Sequence, residues 1–502
     1  MASTHAVVIG GSFSGLFAGR VLSDFFDHVT VLDRDSFPEG VEDRAGVPQA
    51  RHVHGLLVRG LWEYERAFPG FEHLAVEKGA TFHDHTWDFV VLRPQGWQPR
   101  YRSDLKFLSA SRELIESCVR DLFRKLPKVE LRERVAVTGL KVSRDGGRPR
   151  CVGVTVPAGQ GGSAAINKDG NAVVIKDGKA AVIEADLIVD ASGAVSRGPA
   201  WLEAAGLKPP RESVVDPLAG YSSRWFKGPP PGQWPEQWWW WAGAYIRRRP
   251  DDLTEANFQL KEHHRWHLTL SGFNRHYPPT HEAEFMEALK RMRSPIIDEM
   301  TRLMEPISPV YANRAMRNHW RHYERWNERL DGFIAIGDAF CHYNPVYAQG
   351  MTALALSATM LRACLEKYAP TAPEFAREFF DAEARIQHDP WKLSAGVDLR
   401  FPFTLGERPF SMKLFNLYLD GIGLAAKDPI VRRRLVEVAQ LIRPLSDLFA
   451  PTVAGRVGVA AAANAVRTLA AFVARPEPIA ISPMPPMLAP AAGGRAGEAA
   501  VA

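Results

Sequence analysis

The stretch VVIGGSFSGLFAG, residues 7 to 19, is a β-branched apolar run that passes through glycines straight into a helical pattern. The next run, HVTVLDRD from His28, reads as a second buried strand, so residues 4 to 33 predict a βαβ unit. Such a unit commits this part of the chain to a parallel sheet with helices packed on it. In dinucleotide-binding βαβ units the first glycine makes the turn, the second admits the pyrophosphate and the third lets the helix pack closely. Those three places are held here by Gly10, Ser12 and Gly15. Ser12 departs from the pattern by one small group whose hydroxyl suits a phosphate, and taken alone the turn fits a plain packing turn equally well. Asp33, 23 positions after Gly10, ends the second strand where a carboxylate accepts both hydroxyls of an adenosine ribose, and Arg34 beside it suits an adenine.

Composition narrows the class. At 502 residues the chain exceeds one ordinary core and predicts two or more packed modules. Its 62 basic and 57 acidic residues nearly balance, which gives no electrostatic reason for a nucleic-acid partner. Cys118, Cys151, Cys341 and Cys364 form neither a CxxC pair nor a disulfide framework, which predicts a reducing, cytoplasmic setting and no metal. The first strand begins about three residues in, leaving no room for a signal peptide ahead of it. VGVAAAANAVRTLAAFVA, from Val457, is interrupted by Asn464 and Arg467 and reads as a packed or surface helix, not a transmembrane span.

Farther along, residues 108 to 126 predict a helix with a Ser-rich start, and 185 to 197 a buried strand. Between them, DGGRPR and VPAGQGGSAAINKDGNAVVIKDG read as turns of a small β-meander. Residues 213 to 325 change character into long aromatic-rich antiparallel strands. Within QWWWWAGAYI, strand alternation puts Trp239 and Trp241, or Trp238 and Trp240, on one side as an apolar wall or a sheet core. GDAFCHYNPVYAQGM, residues 337 to 351, lies after a buried strand and opens a helix. There Asp338 suits a polyol hydroxyl or a helix cap, Pro345 packs beside a ring, and the amides of Gly350 and Met351 suit developing negative charge. The Pro-, Ala- and Gly-rich tail from Pro476 predicts disorder.

GGSFSG with Asp33 and Arg34, Arg44, the Ser111–Arg112 pair, DASGAVSR and GDAFCHYNPVYAQGM resemble, in order and spacing, the FAD-dependent aromatic hydroxylase and squalene epoxidase superfamily. RAGVPQARHVHGLL, GWQPRYRSDLKFLSASREL, FKGPPPG, PTHEAEF and HDPW look like the bacterial epoxidases of polyene precursors of polyether antibiotics such as lasalocid and monensin.

The resemblance implies an α/β fold. A Rossmann-like FAD-binding domain (1–210 and 326–375) carries an inserted antiparallel substrate domain (211–325), followed by C-terminal helices (376–475) and the tail (476–502). It implies Ser12 and Phe13 at the pyrophosphate, Asp33 and Arg34 at the adenosine, and Arg44 and Arg112 along the ribityl and phosphate chain. Val135 would meet the adenine through its backbone, and Asp338 and Met351 would hold the flavin end. Thr352 stands where the family carries its usual polar residue after the late glycine.

The implied activity is insertion of one oxygen atom of O2 at flavin C4a into a hydrophobic polyketide or terpenoid alkene. Electrons come from NADPH or NADH, directly or through a separate reductase. Such a site must chiefly hold substrate and exclude water. Aromatic hydroxylation is the alternative and calls for a base, for which His52, His54, His342, Tyr343 and Tyr347 are candidates; none is assigned as catalytic. Tyr347, His54, Trp239 and Trp241 are expected to line the substrate site. An isoprenoid reductase or a non-redox cyclase needs the same cofactor motifs, whereas the WxWxIP segment of flavin halogenases is missing.

Overall fold

A fully buried parallel strand organises the computed structural model, which describes residues 3–44, 46–145, 147–158, 180–230, 233–235, 242–249, 251–474 and 487. His5–Ile9 is buried along its whole length and pairs in parallel with His28–Leu32 on one side and Leu187–Asp190 on the other. Val129–Arg132 and Phe333–Ala335 complete a five-stranded parallel sheet at its two edges. A strand covered on both faces has no solvent side, so its sequence is continuously apolar instead of alternating.

Close packing at the turn explains two of the glycines. Gly10 adopts φ 106°, and a Cβ on Gly15 would lie 1.7 Å from the Gly10 carbonyl oxygen. The Phe13–Leu22 helix therefore sits on the strand at a distance only glycine permits. It packs against the long Gly350–Leu365 helix, which brings the late segment of the chain back to the amino-terminal turn.

The second layer is a nine-stranded sheet in which Glu212–Lys227 pairs antiparallel with Arg265–Gly272 and Tyr311–Arg321. Thr254–Leu260 and Gly243–Ile246 extend it, and Phe89–Arg93 joins in parallel beside Gly243–Ile246. Trp266, Phe258, Phe226 and Phe285 fill the core beneath one face. The β-meander is a three-stranded antiparallel sheet of Gly139–Ser143, Arg150–Pro157 and Ala180–Glu184. The helices Phe410–Ala425, Pro429–Ala439 and Pro451–Ala474 form a third packed body around Ile422, Val431, Leu435, Leu448 and Val453. The architecture is thus α/β, with a parallel cofactor-type sheet, a large antiparallel sheet and C-terminal helices.

The tryptophan run with Trp239 and Trp241, most of the loop between the last two meander strands, and all of the tail from Pro476 except Met487 lie outside the described residues. Among the described residues no helix is long and apolar enough to cross a membrane. The four cysteines are free and buried.

Replacing Gly15 by alanine is expected to lower the unfolding free energy by about 2 kcal/mol or more, because backbone must shift to admit the Cβ. Gly455→Ala, which points into open space on the last helix, is expected to raise it by about 0.5–1 kcal/mol through helix propensity. Denaturant titration of both variants measures the contrast.

Candidate active site

Three segments that are distant in sequence meet at the amino-terminal turn. Gly337, at φ 61°, passes so close to the first helix that a Cβ there would lie 2.3 Å from Ser14 Oγ. Its neighbour Asp338 turns its carboxylate toward Gly350, and Asp338 Oδ2 is 3.0 Å from His342 Nδ1. Ser12 is the N-cap of the Phe13–Leu22 helix and gives no side-chain cap, and Gln349 stands in the same relation to Gly350–Leu365. Both helix starts, including Gly350 and Met351, therefore keep free amides and a positive dipole end.

A chain of charges borders this cleft. Asp33 Oδ2 accepts from the Gly11 amide at 2.7 Å and lies 3.4 Å from Arg44 Nη1. Arg44 Nη2 lies 3.0 Å from Glu116, which also accepts from Arg112 at 2.5 Å, and Arg112 Nη2 donates to Ser12 Oγ at 3.1 Å. Arg112 also lies over the Phe13 ring, 4.8 Å from its centroid. The structure thus brings Gly10, Ser12, Phe13, Gly15, Asp33, Arg44 and Arg112 together, with Arg34 exposed beside them. Val135 is buried next to Asp33, but its amide is committed to the Asp33 carbonyl at 2.8 Å, so the amide is not free for an adenine. Glu116 was not singled out from sequence; its signal is the i,i+4 spacing from Arg112.

Next to the late helix start lies a cavity of about 1180 Å³, between the large sheet and the C-terminal helices. Its wall includes Leu56, Phe89, Val91, Phe107, Leu253 and the Ala348–Gln349 turn. Tyr347 lines it. His54 does not: its ring donates from Nδ1 to the His52 carbonyl at 2.9 Å, and its own carbonyl accepts from Lys261 Nζ at 2.7 Å. His52 is bonded to Ser223 Oγ at 2.8 Å and Tyr343 to Gln387, so both also point away from it.

The Tyr347 hydroxyl is fixed by a buried network. Asp398, with no exposure, accepts from Tyr347 at 2.7 Å, Arg248 at 3.0 Å, Asn318 at 3.0 Å and Asn344 at 2.9 Å. Arg248 also donates to Glu255 at 3.1 Å and lies between the rings of Phe273 and Phe401. Burial pushes the Asp398 carboxyl up, and Arg248 with three hydrogen bonds opposes that shift. No sequence motif marks Asp398; its partners are far apart in the chain.

No protein-family model matches the sequence. The fold is shared with flavin-dependent brominase Bmp2 (TM-score 0.60, 14% identity, 87% of this chain and 94% of that one). It is shared too with a flavoprotein/dehydrogenase from Cytophaga hutchinsonii (0.59, 16%, 92% and 99%) and with 2-methyl-3-hydroxypyridine-5-carboxylic acid oxygenase (0.54, 15%, 88% and 98%). The class is that of the flavoprotein-type α/β fold. More particularly, the chain is 30% identical over 478 residues to Protein Rv3254 of Mycobacterium tuberculosis, covering 90% of this chain and 92% of that protein, and it belongs to the same family.

Asp398→Ala is expected to destabilise the protein by about 3–5 kcal/mol, because it strips Arg248 of one of its two carboxylates inside the structure; chemical unfolding measures it. Burial holds His52 down at about 4 from an ordinary 6.5. The unfolded chain therefore takes up a proton below 6.5 that the folded one refuses until about 4, and stability is lost as pH falls through that window. The stability advantage of wild type over His52→Asn should shrink by roughly 2–3 kcal/mol between those limits, read from denaturation at a series of pH values.

Proposed function

We propose that this chain is an FAD-dependent monooxygenase that inserts one oxygen atom of O2 into a hydrophobic polyketide- or terpenoid-like molecule, with an alkene as target and an epoxide as product. One observation carries the reading: two uncapped helix starts and Asp338 come together at the amino-terminal turn, and the Ala348–Gln349 turn that leads into the second of them also lines the large cavity. The residues fit the cofactor, because buried polar atoms there have no partner among the described residues, including Arg44 Nε, Gln349 Oε1 and Thr352 Oγ1.

In this assignment Gly10, Ser12, Phe13 and Gly15 hold the pyrophosphate, and Asp33 and Arg34 the adenosine, with Val135 offering only its backbone carbonyl because its amide is used by Asp33. Arg44 and Arg112 line the chain between, and Asp338, Pro345, Gly350 and Met351 receive the flavin end. When bound, FAD supplies the activation of dioxygen, with electrons from NADPH or NADH directly or through a separate reductase.

The protein's own part is to bind, orient and keep water out, which the apolar cavity wall suits. Transfer of oxygen to an alkene asks for no base. That agrees with the candidate bases: burial holds His52 at about 4 and His54 at about 3, so both are neutral and hydrogen-bonded elsewhere. The Tyr347 hydroxyl is engaged by Asp398 and Arg248, and burial raises its pKa, which disfavours a proton-accepting phenolate. The likeness to polyether-pathway epoxidases supports epoxidation, and the missing WxWxIP segment speaks against halogenation.

Purified protein is expected to be yellow with an oxidised flavin spectrum, and Asp338→Ala to retain less than a tenth of the flavin. Under isotopically labelled dioxygen the product should gain one labelled oxygen by mass spectrometry. Folded protein that stays colourless when offered FAD overturns the cofactor assignment, and product without label overturns the oxygenation.

A further inference from the structure

The cavity wall is largely apolar, yet two of the cations that line it have no counter-charge. Arg93 ends the Phe89–Arg93 strand, and Arg432, only 6% exposed, lies on the Pro429–Ala439 helix. Among the described residues neither guanidinium has a hydrogen-bond acceptor or a carboxylate within ion-pair distance, and the Nε of each is buried without a partner. The other guanidiniums of the wall have acceptors: Arg248 has Glu255 and Asp398, Arg247 has Glu255 at 3.8 Å, Arg400 has Asp420 and Arg408 has the backbone carbonyls of Leu399, Phe401, Pro402 and Thr404, while Lys413 is exposed to solvent. Glu255 and Asp420 are the only carboxylates among the described lining residues, and both are already used.

The helix that carries Arg432 meets the segment leading into the Arg93 strand, where its C-cap Gln440 lies 3.0 Å from His85 Nε2. Burial first, then the charges of Arg247 and Arg432, hold Arg93 down at about 9, and burial holds Arg432 at about 10. Both remain cations at neutral pH. Desolvated guanidiniums without a partner are costly, and a planar fork of N–H donors matches a carboxylate or phosphate face. The location is structured as well, since Gln95, two residues from Arg93, lies against Gly423 of the Phe410–Ala425 helix. The pair thus sits where the large sheet meets the helical body.

We propose that Arg93 and Arg432 form an oxyanion subsite, so that the substrate is an apolar chain carrying an acidic head group, a carboxylate or a phosphate, that these two arginines hold. This rests on reading the cavity as the substrate site. Anchoring one end of a flexible chain fixes which carbons reach the cofactor side of the cavity, which purely apolar walls do poorly.

The test is calorimetric titration of the full-length protein, with and without FAD, using dodecanoate, dodecyl phosphate and dodecanol below their micellar concentrations. At least one ionic probe is expected to bind ten-fold or more tightly than dodecanol, and the tighter of the two identifies the head group. Arg93→Met and Arg432→Met are each expected to weaken that probe at least ten-fold while leaving dodecanol unchanged. Equal binding of all three probes to wild type overturns the proposal, as does unchanged ionic binding in the folded variants. The wild-type comparison needs no variant to fold. A colourless protein that still discriminates the probes sinks the oxygenase reading alone, and a yellow protein that does not discriminate sinks the subsite alone.

Discussion

The buried carboxylate of Asp398 is the point on which the architecture of the site depends. It receives hydrogen bonds from Arg248 beside the Gly243–Ile246 strand, from Asn318 of the Tyr311–Arg321 strand, and from Asn344 and Tyr347 of the late loop. Its own backbone ends the Phe375–Asp398 helix. A charge removed from water must have its lone pairs satisfied, and this one is satisfied only when sheet, loop and helix are all in register. The loop that leads into the Gly350–Leu365 helix start is therefore placed by polar geometry, in a region where apolar packing alone would let it slide.

From that constraint the cavity follows. With the late loop held against the sheet and the C-terminal helices along another side, a half-open cavity is left between bodies that each have a core of their own. Its charges are unevenly answered, with Arg248 compensated inside the Asp398 network and Arg93 and Arg432 left facing the space. A single wall thus combines apolar area for binding, a fixed hydroxyl at Tyr347 and two desolvated cations.

Much of the parallel sheet was legible because its signals are local. VVIGG followed by a helix, Asp33 at the close of the next strand, and the capping Ser111 of the Arg112–Phe123 helix each express themselves within a few residues. The polar network was not legible, because Asn318, Asn344, Asp398 and Arg248 look like ordinary surface residues until the fold brings them into one buried place. His54 shows the same limit in reverse. Sequence puts it in a loop near the site, and only its hydrogen bond to the His52 carbonyl reveals that the ring turns away.

By itself the sequence determined the βαβ beginning, the need for glycine at Gly10 and Gly15, and the return of a second glycine-containing segment near residue 337, because apolar periodicity and steric exclusion act between near neighbours. Only the tertiary structure decided which arginines lack partners, which histidines are withdrawn and where the cavity lies. Those properties depend on desolvation and on distances between residues up to hundreds of positions apart, and no local pattern encodes them.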